Sequence, residues 1–145
     1  MPASSASVRI LIGPEAFSAR LRHDRAPYSC QQLEMLLPYA GQLLHARWSG
    51  EALWSRLCAV WLPELRLPKE CPTSVPEPGD VLLYAGEQSE PELLIPYGAC
   101  RFACKEGQLE GNLVLSIDDG LARLMDVGHT VLRHGAIPIR IEKKF

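Results

Sequence analysis

No stretch of this chain comes near the ~20 consecutive apolar residues that a membrane-crossing helix needs, so a helical membrane protein is excluded. The opening Met1-Pro2-Ala3-Ser4-Ser5-Ala6-Ser7 has no charged stretch ahead of an apolar one, the pattern a secretory signal requires. A cytoplasmic protein with a disordered N-terminal tail over residues 1–7 is expected, followed by one domain over 8–145. Charge of one sign never accumulates: 15 basic and 17 acidic residues leave a net charge of −2. Aromatics make up 7% and do not interleave with a basic stripe. Together these exclude a nucleic-acid footprint. Cysteine is present but unpaired in pattern. Five of them, at 30, 58, 71, 100 and 104, are an odd number without framework spacing. Cys100 and Cys104 lack a nearby histidine or a second pair, so no zinc site is read there. Neither a metal nor a cofactor is expected; the thiols read as reduced and mostly buried. Internal repeats and low-complexity tracts are also missing.

What is present suits one compact domain. Hydrophobic residues are 47% and charged residues 22% of 145, enough apolar surface for a core. Residues 8–12 are apolar and rich in β-branched side chains, and after Gly13-Pro14-Glu15 the residues Phe17, Ala19 and Leu21 alternate with polar ones. That is a hairpin of two strands. Pro27 fits the first position of a helix, with Cys30, Leu33, Leu36 and Leu37 on one face and Pro38 as its stop. Residues 43–46 read as a strand. Residues 51–61 fit a helical stripe through Leu53, Trp54, Leu57, Val60 and Trp61, and an extended first part fits as well; both assignments stay open. Trp54 and Trp61 read as core.

Residues 63–79 carry five prolines and little periodicity, and read as a surface excursion. It offers a contact for self-association as a homo-oligomer. Short strands follow over 81–84, 93–95, 100–103 and 113–117. Asp118 or Asp119 is expected to cap a last helix with Leu121, Leu124, Met125, Gly128, Val131 and Leu132 on one face. Arg133 and His134 suit its last turn and Gly135 its stop. Residues 137–141 form a closing strand. Two helices among about eight short strands predict a mainly-β fold, a β-barrel capped by two α-helices, since closure removes exposed edges.

The run Leu43-Leu44-His45-Ala46-Arg47-Trp48-Ser49-Gly50-Glu51 begins like a buried strand and then concentrates polar chemistry. A core strand rejects that density, because an unpaired buried polar group costs about 1–3 kcal/mol. A cleft edge accepts it. Arg47 can clamp a carboxylate, and Trp48 can cover an apolar ligand face. Glu51 can accept a hydrogen bond or a proton. His45, as a general base, would need hydrogen-bond reach to a substrate. Tyr97 sits in a Pro96-Tyr97-Gly98 bend and can aim its hydroxyl into the same cleft. Ser49 lacks the surroundings of a nucleophile elbow and reads as a turn residue, as does Asp80.

The order of elements resembles a cyclophilin. Residues 17–30 are similar to its second strand and first helix, joined through Ala26-Pro27. Leu44-His45 with Gly50 resembles the Phe-His strand, Pro78-Gly79-Asp80-Val81 the turn before a central strand, and Ile137-Pro138-Ile139-Arg140-Ile141 the closing strand. More closely, the chain resembles a group of small bacterial cyclophilin-like proteins classed as a domain of unknown function. Residues 45–51, Pro96-Tyr97-Gly98, Gly111-Asn112 and the final Ile-Arg-Ile-Glu carry that match. The resemblance implies a cyclophilin-like barrel and adds Asn112 to the ligand-binding candidates Arg47, Trp48, Glu51 and Tyr97. In prolyl isomerases of this fold an arginine follows the Phe-His pair, and here Ala46 takes its place. Trp54 falls near the pocket glutamine, Glu51 and Leu94 near the pocket phenylalanines, and Gly111 near the pocket histidine.

The expected function is therefore binding of a small anionic or amide-bearing molecule at the barrel rim, with His45, Arg47, Glu51 and Tyr97 closing one polar ring. Two alternatives accompany it. One is an amide- or lactam-class hydrolase or hydrolase subunit, with His45 or Glu51 as the base. The other is a prolyl isomerase or peptide-binding module. Whether the chain is an enzyme stays open.

Overall fold

The computed structural model describes residues 7–57 and 67–144. The tail at 1–6, Cys58, Trp61 and the start of the excursion lie outside the described residues. The elements in order are β1 (Ser7–Ile12), β2 (Glu15–Leu21), α1 (Pro27–Leu36), β3 (Tyr39–His45), β4 (Gly50–Arg56), β5 (Asp80–Tyr84), β6 (Glu92–Cys100), β7 (Ala103–Cys104), β8 (Gly107–Gln108), β9 (Asn112–Ile117), α2 (Leu121–His134) and β10 (Ile137–Lys143). Period-two burial explains the first pair: Val8, Ile10 and Ile12 face inward, as do Phe17, Ala19 and Leu21.

Eight strands close into an antiparallel barrel in the order β1-β10-β3-β4-β6-β5-β9-β2, and β7 with β8 forms a separate ribbon. This is the mainly-β barrel with two helices that the pattern of short strands implied. α1 packs on β9, and α2 packs on β3, β4 and β6. The barrel is filled by a cluster that includes Ile10, Phe17, Leu43, Leu53, Leu93, Ile95 and Leu115. A second cluster, Ala52, Leu82, Tyr84, Leu94, Phe102, Leu109 and Leu113, draws on alternate residues of the same strands. Alternation puts it on the outer face of the wall. Phe102 and Leu109, flanking the β7–β8 ribbon, cover that face.

Covering both faces settles residues 51–57. They are extended in β4 through Arg56, with Leu53, Ser55 and Leu57 buried on one side and Ala52 on the other. A strand buried on two faces loses its alternation, which is why the apolar positions also fit a helix. Strand β3 starts at Tyr39 and stops at His45, one residue short of the expected end.

The cap of α2 departs from expectation. Gly120 is the N-cap residue, without a side-chain hydrogen bond to the helix. Asp118 instead pairs with Arg20 at 3.0 Å. The buried stripe of α2 is Leu124, Val127, Gly128 and Val131; Leu121, Met125 and Leu132, expected inside, are exposed. A stripe at i, i+3, i+4 and i+7 is what a helix lying on a wall buries, and the three exposed residues flank it. Of the described cysteines only Cys30 is buried; Cys71 is exposed and Cys100 and Cys104 are intermediate. The described part of the excursion is strapped down, with Thr73 bridged to Gly111 and the Phe102 amide donating to the Ser74 carbonyl at 2.7 Å.

Candidate functional site

The hairpin between β3 and β4 sorts the polar run into two places. Leu44 pairs with Trp54 and His45 with Leu53, and the Ala46 amide donates to the Ala52 carbonyl at 2.9 Å. By parity Leu43 and His45 face the barrel interior, whereas Leu44 and Ala46 face outward. The expected ring of His45, Arg47, Glu51 and Tyr97 is therefore not formed, because a barrel wall stands between its members.

At the interior end, under α2, His45 Nδ1 lies 2.8 Å from the Ala46 carbonyl oxygen. A carbonyl only accepts, so Nδ1 carries the hydrogen. Nε2 of the neutral ring then accepts the Tyr97 hydroxyl at 2.8 Å. Tyr97 is 2% exposed and also meets the His129 ring edge-on at 5.5 Å. Burial, and then the nearby Glu51 carboxylate, push the Tyr97 hydroxyl above its usual range. Gly128 lets the helix approach, since a Cβ there would strike the Tyr97 ring. Glu51 lies over Gly98, whose missing Cβ makes the room. The β4–β6 register shifts between Gly50 and Ala52. Glu51 Oε1 accepts the Ala99 amide there at 2.9 Å, satisfying a donor at the irregularity. His45, Tyr97 and Glu51 thus all hold internal bonds.

On the outer face the arrangement is different. Ser49 Oγ donates to the Ala103 carbonyl at 3.1 Å and accepts the Ala103 amide at 3.0 Å. This double bond pair ties the β3–β4 loop to the segment that covers the outer cluster. Between them lies a cleft of about 200 Å³ lined by Ala46, Arg47, Trp48, Trp54, Glu92 and Lys105, among others. Trp48 is 51% exposed, and the Arg47 guanidinium lies 5.7 Å from its ring centre. Ala46 and Trp54 both line this cleft.

Glu92 belongs to the same cleft and was not singled out from the sequence. It is 8% exposed. Burial, and then the neighbouring Glu90, push its carboxyl up to about 8. In the sequence it heads the apolar run Glu92-Leu93-Leu94-Ile95 and passes for a solvated strand end. The signal was parity, which puts Glu92 on the same outward face as Leu94 and, across the pair, Trp54.

Asn112 lies elsewhere. Its Nδ2 donates to Ser29 Oγ at 2.9 Å and to the Pro68 carbonyl at 2.8 Å, while its Oδ1 accepts the Glu70 amide at 3.0 Å. The Glu70 carboxylate in turn accepts the Tyr28 amide at 2.9 Å and the Ser29 amide at 2.8 Å. It also accepts the Ser29 hydroxyl at 2.6 Å. Asn112 therefore helps clasp the excursion to the start of α1, where unpaired amides need acceptors.

A family model described as Protein of unknown function (DUF3830) matches residues 12–143. No curated protein matches the chain significantly. Among solved structures, McbB in complex with tryptophan is similar at a TM-score of 0.73 and 20% identity, over 94% of this chain and 44% of McbB. The chain thus spans less than half of McbB's length. The solution structure of the hypothetical protein AF2241 from Archaeoglobus fulgidus matches at a TM-score of 0.57 and 12% identity, over 99% of this chain and 100% of that one. At these identities the likeness carries the fold alone.

Proposed function

The chain belongs to the DUF3830 family, and from that premise we propose that it binds a small anionic or amide-bearing molecule in the outer-face cleft at the barrel rim. One observation carries this reading. The Arg47 guanidinium, without an ion pair among the described residues, shares the cleft with an exposed tryptophan and a half-buried one. A cation free to pair beside aromatic surface suits an anion attached to an apolar body. At about 200 Å³ the cleft lies below the ~300–1,000 Å³ of drug-sized pockets, so the ligand is small. McbB, a similar barrel over part of its length, is described with tryptophan bound, which supports an aromatic acid as one member of the class. No helix among the described residues is long and apolar enough to cross a membrane, and we place the protein in the cytoplasm as part of this proposal.

The hydrolase reading draws no comparable support, since His45 and Glu51 hold internal bonds away from the cleft. The isomerase reading lacks its arginine, because Ala46 lines the cleft at that position. Calorimetric titration with 4-phenylbutyrate tests the proposal. Arg47→Ala is expected to weaken binding about tenfold or more, the value of a charge-assisted hydrogen bond. Trp48→Ala should weaken it by a smaller factor. Absence of binding by the wild type, or binding indifferent to both substitutions, overturns the reading.

A further inference from the structure

Glu92 is more than nine-tenths buried and lines the cleft, and its carboxyl makes no hydrogen bond or ion pair among the described residues. Its cross-strand neighbours each hold a contact elsewhere. Across β4 its partner is Arg56, but that guanidinium pairs with Glu90 at 3.3 Å. Across β5 its partner is Tyr84, whose hydroxyl accepts the Gln88 amide at 2.7 Å. Trp54 lies diagonally beside it on β4. From the hairpin and the ribbon, Arg47, Cys104, Lys105 and Glu106 line the same cleft, and the Glu106 carboxylate accepts the Cys104 thiol. A carboxyl on a mostly buried side chain, opening into the cleft and flanked by an indole, a phenol and a second carboxylate, is favoured in its neutral form, because ionising it there is unfavourable. A neutral carboxylic acid carries one O–H to donate.

We propose that Glu92 binds ligand in its protonated form, donating its O–H to a neutral carbonyl oxygen while Arg47 holds the ligand's carboxylate. The site then selects small carboxylates that also carry an amide or keto oxygen. This rests on the binding role given to the cleft above and names the ligand class within it. The upward shift of Glu92 to about 8 agrees, since the acid remains a donor through neutral pH. A ligand presenting an ammonium group to Glu92 makes the opposite prediction, because it needs the carboxylate.

The test compares N-benzoylglycine with 4-phenylbutyrate, which share the ring, the chain length and the carboxylate and differ in the amide. At pH 6.5 the wild type is expected to bind the amide about tenfold more tightly, the value of one hydrogen bond. At pH 9.5 that preference should vanish, as Glu92 ionises and loses its proton. Glu92→Gln keeps a neutral donor, so it should retain the preference at both pH values. Glu92→Ala should abolish the preference, with the melting temperature confirming a folded protein. Equal affinities for the two probes in the wild type overturn the inference, as does a preference that grows with pH or a Glu92→Gln variant as impaired as Glu92→Ala. If both probes bind equally and Arg47→Ala weakens both, the binding role of the cleft stands and the assignment of Glu92 falls. If neither probe binds, both fall.

Discussion

At the start of α1 the carboxylate of Glu70 accepts three hydrogen bonds, two from backbone amides and one from Ser29. In the outer cleft the carboxyl of Glu92 accepts none from the described residues. Burial raises both groups. At Glu70 the hydrogen bonds outweigh it and hold the carboxyl below its usual range. At Glu92 no hydrogen bond from the described residues opposes it, and the neighbouring Glu90 adds to the rise. A polar group whose partners are all internal builds the fold; one left without a partner beside a cleft is available to a ligand. By that criterion the His45–Tyr97 pair belongs with Glu70, and Arg47 with Glu92.

The largest expected effect concerns Glu92 itself. Its folded-state value is raised from 4.5 to about 8, so between those pH values the native protein keeps a proton that the unfolded chain has lost. Stability to denaturant should fall as pH rises across that window and level off above it. The total change is on the order of 5 kcal/mol at most. Glu92→Gln should remove most of this fall; a wild type whose stability is flat from pH 5 to pH 9 would break the contrast with Glu70.

Next in size is Asn112→Ala, which strips partners from Ser29, Pro68 and Glu70 together. Chemical unfolding should show a loss of about 3 kcal/mol, with the outer cleft's affinity for 4-phenylbutyrate unchanged. Glu70→Gln should lose about 1–2 kcal/mol at neutral pH. The sign of its pH dependence is opposite to that of Glu92. The stability Glu70 contributes is present above its unfolded value of 4.5 and is lost as pH falls through its lower folded value. Acid titrations of the two variants therefore sharpen the comparison directly.

Smallest is Tyr97→Phe, which removes the hydroxyl bonded to His45. About 1 kcal/mol of stability should go, and ligand affinity should not move. A Tyr97→Phe variant with normal stability and abolished binding would return the interior end to the site.

Much of the barrel could be read in advance because its signals are local. Alternation in β1 and β2 and the proline at the start of α1 each depend on a few neighbouring residues. Residues 51–57 could not be assigned, because a strand covered on both faces shows no alternation. Neither could the cap of α2: Asp118 is a suitable residue by type, but Arg20, ninety-eight positions away, takes it. Within the site, Arg47 and Trp48 were visible as a dense polar run. Glu92 was not, since nothing near it in sequence shows that both its cross-strand neighbours have other partners.

Chain order and side-chain type by themselves determined a closed sheet with two helices and a charged, aromatic hairpin at residues 45–51. Only the tertiary structure decided which side of the wall each of those residues faces. That choice depends on the parity of strand pairing and on partners brought from distant strands, so it separated His45 and Tyr97 from Arg47 and joined Arg47 to Glu92.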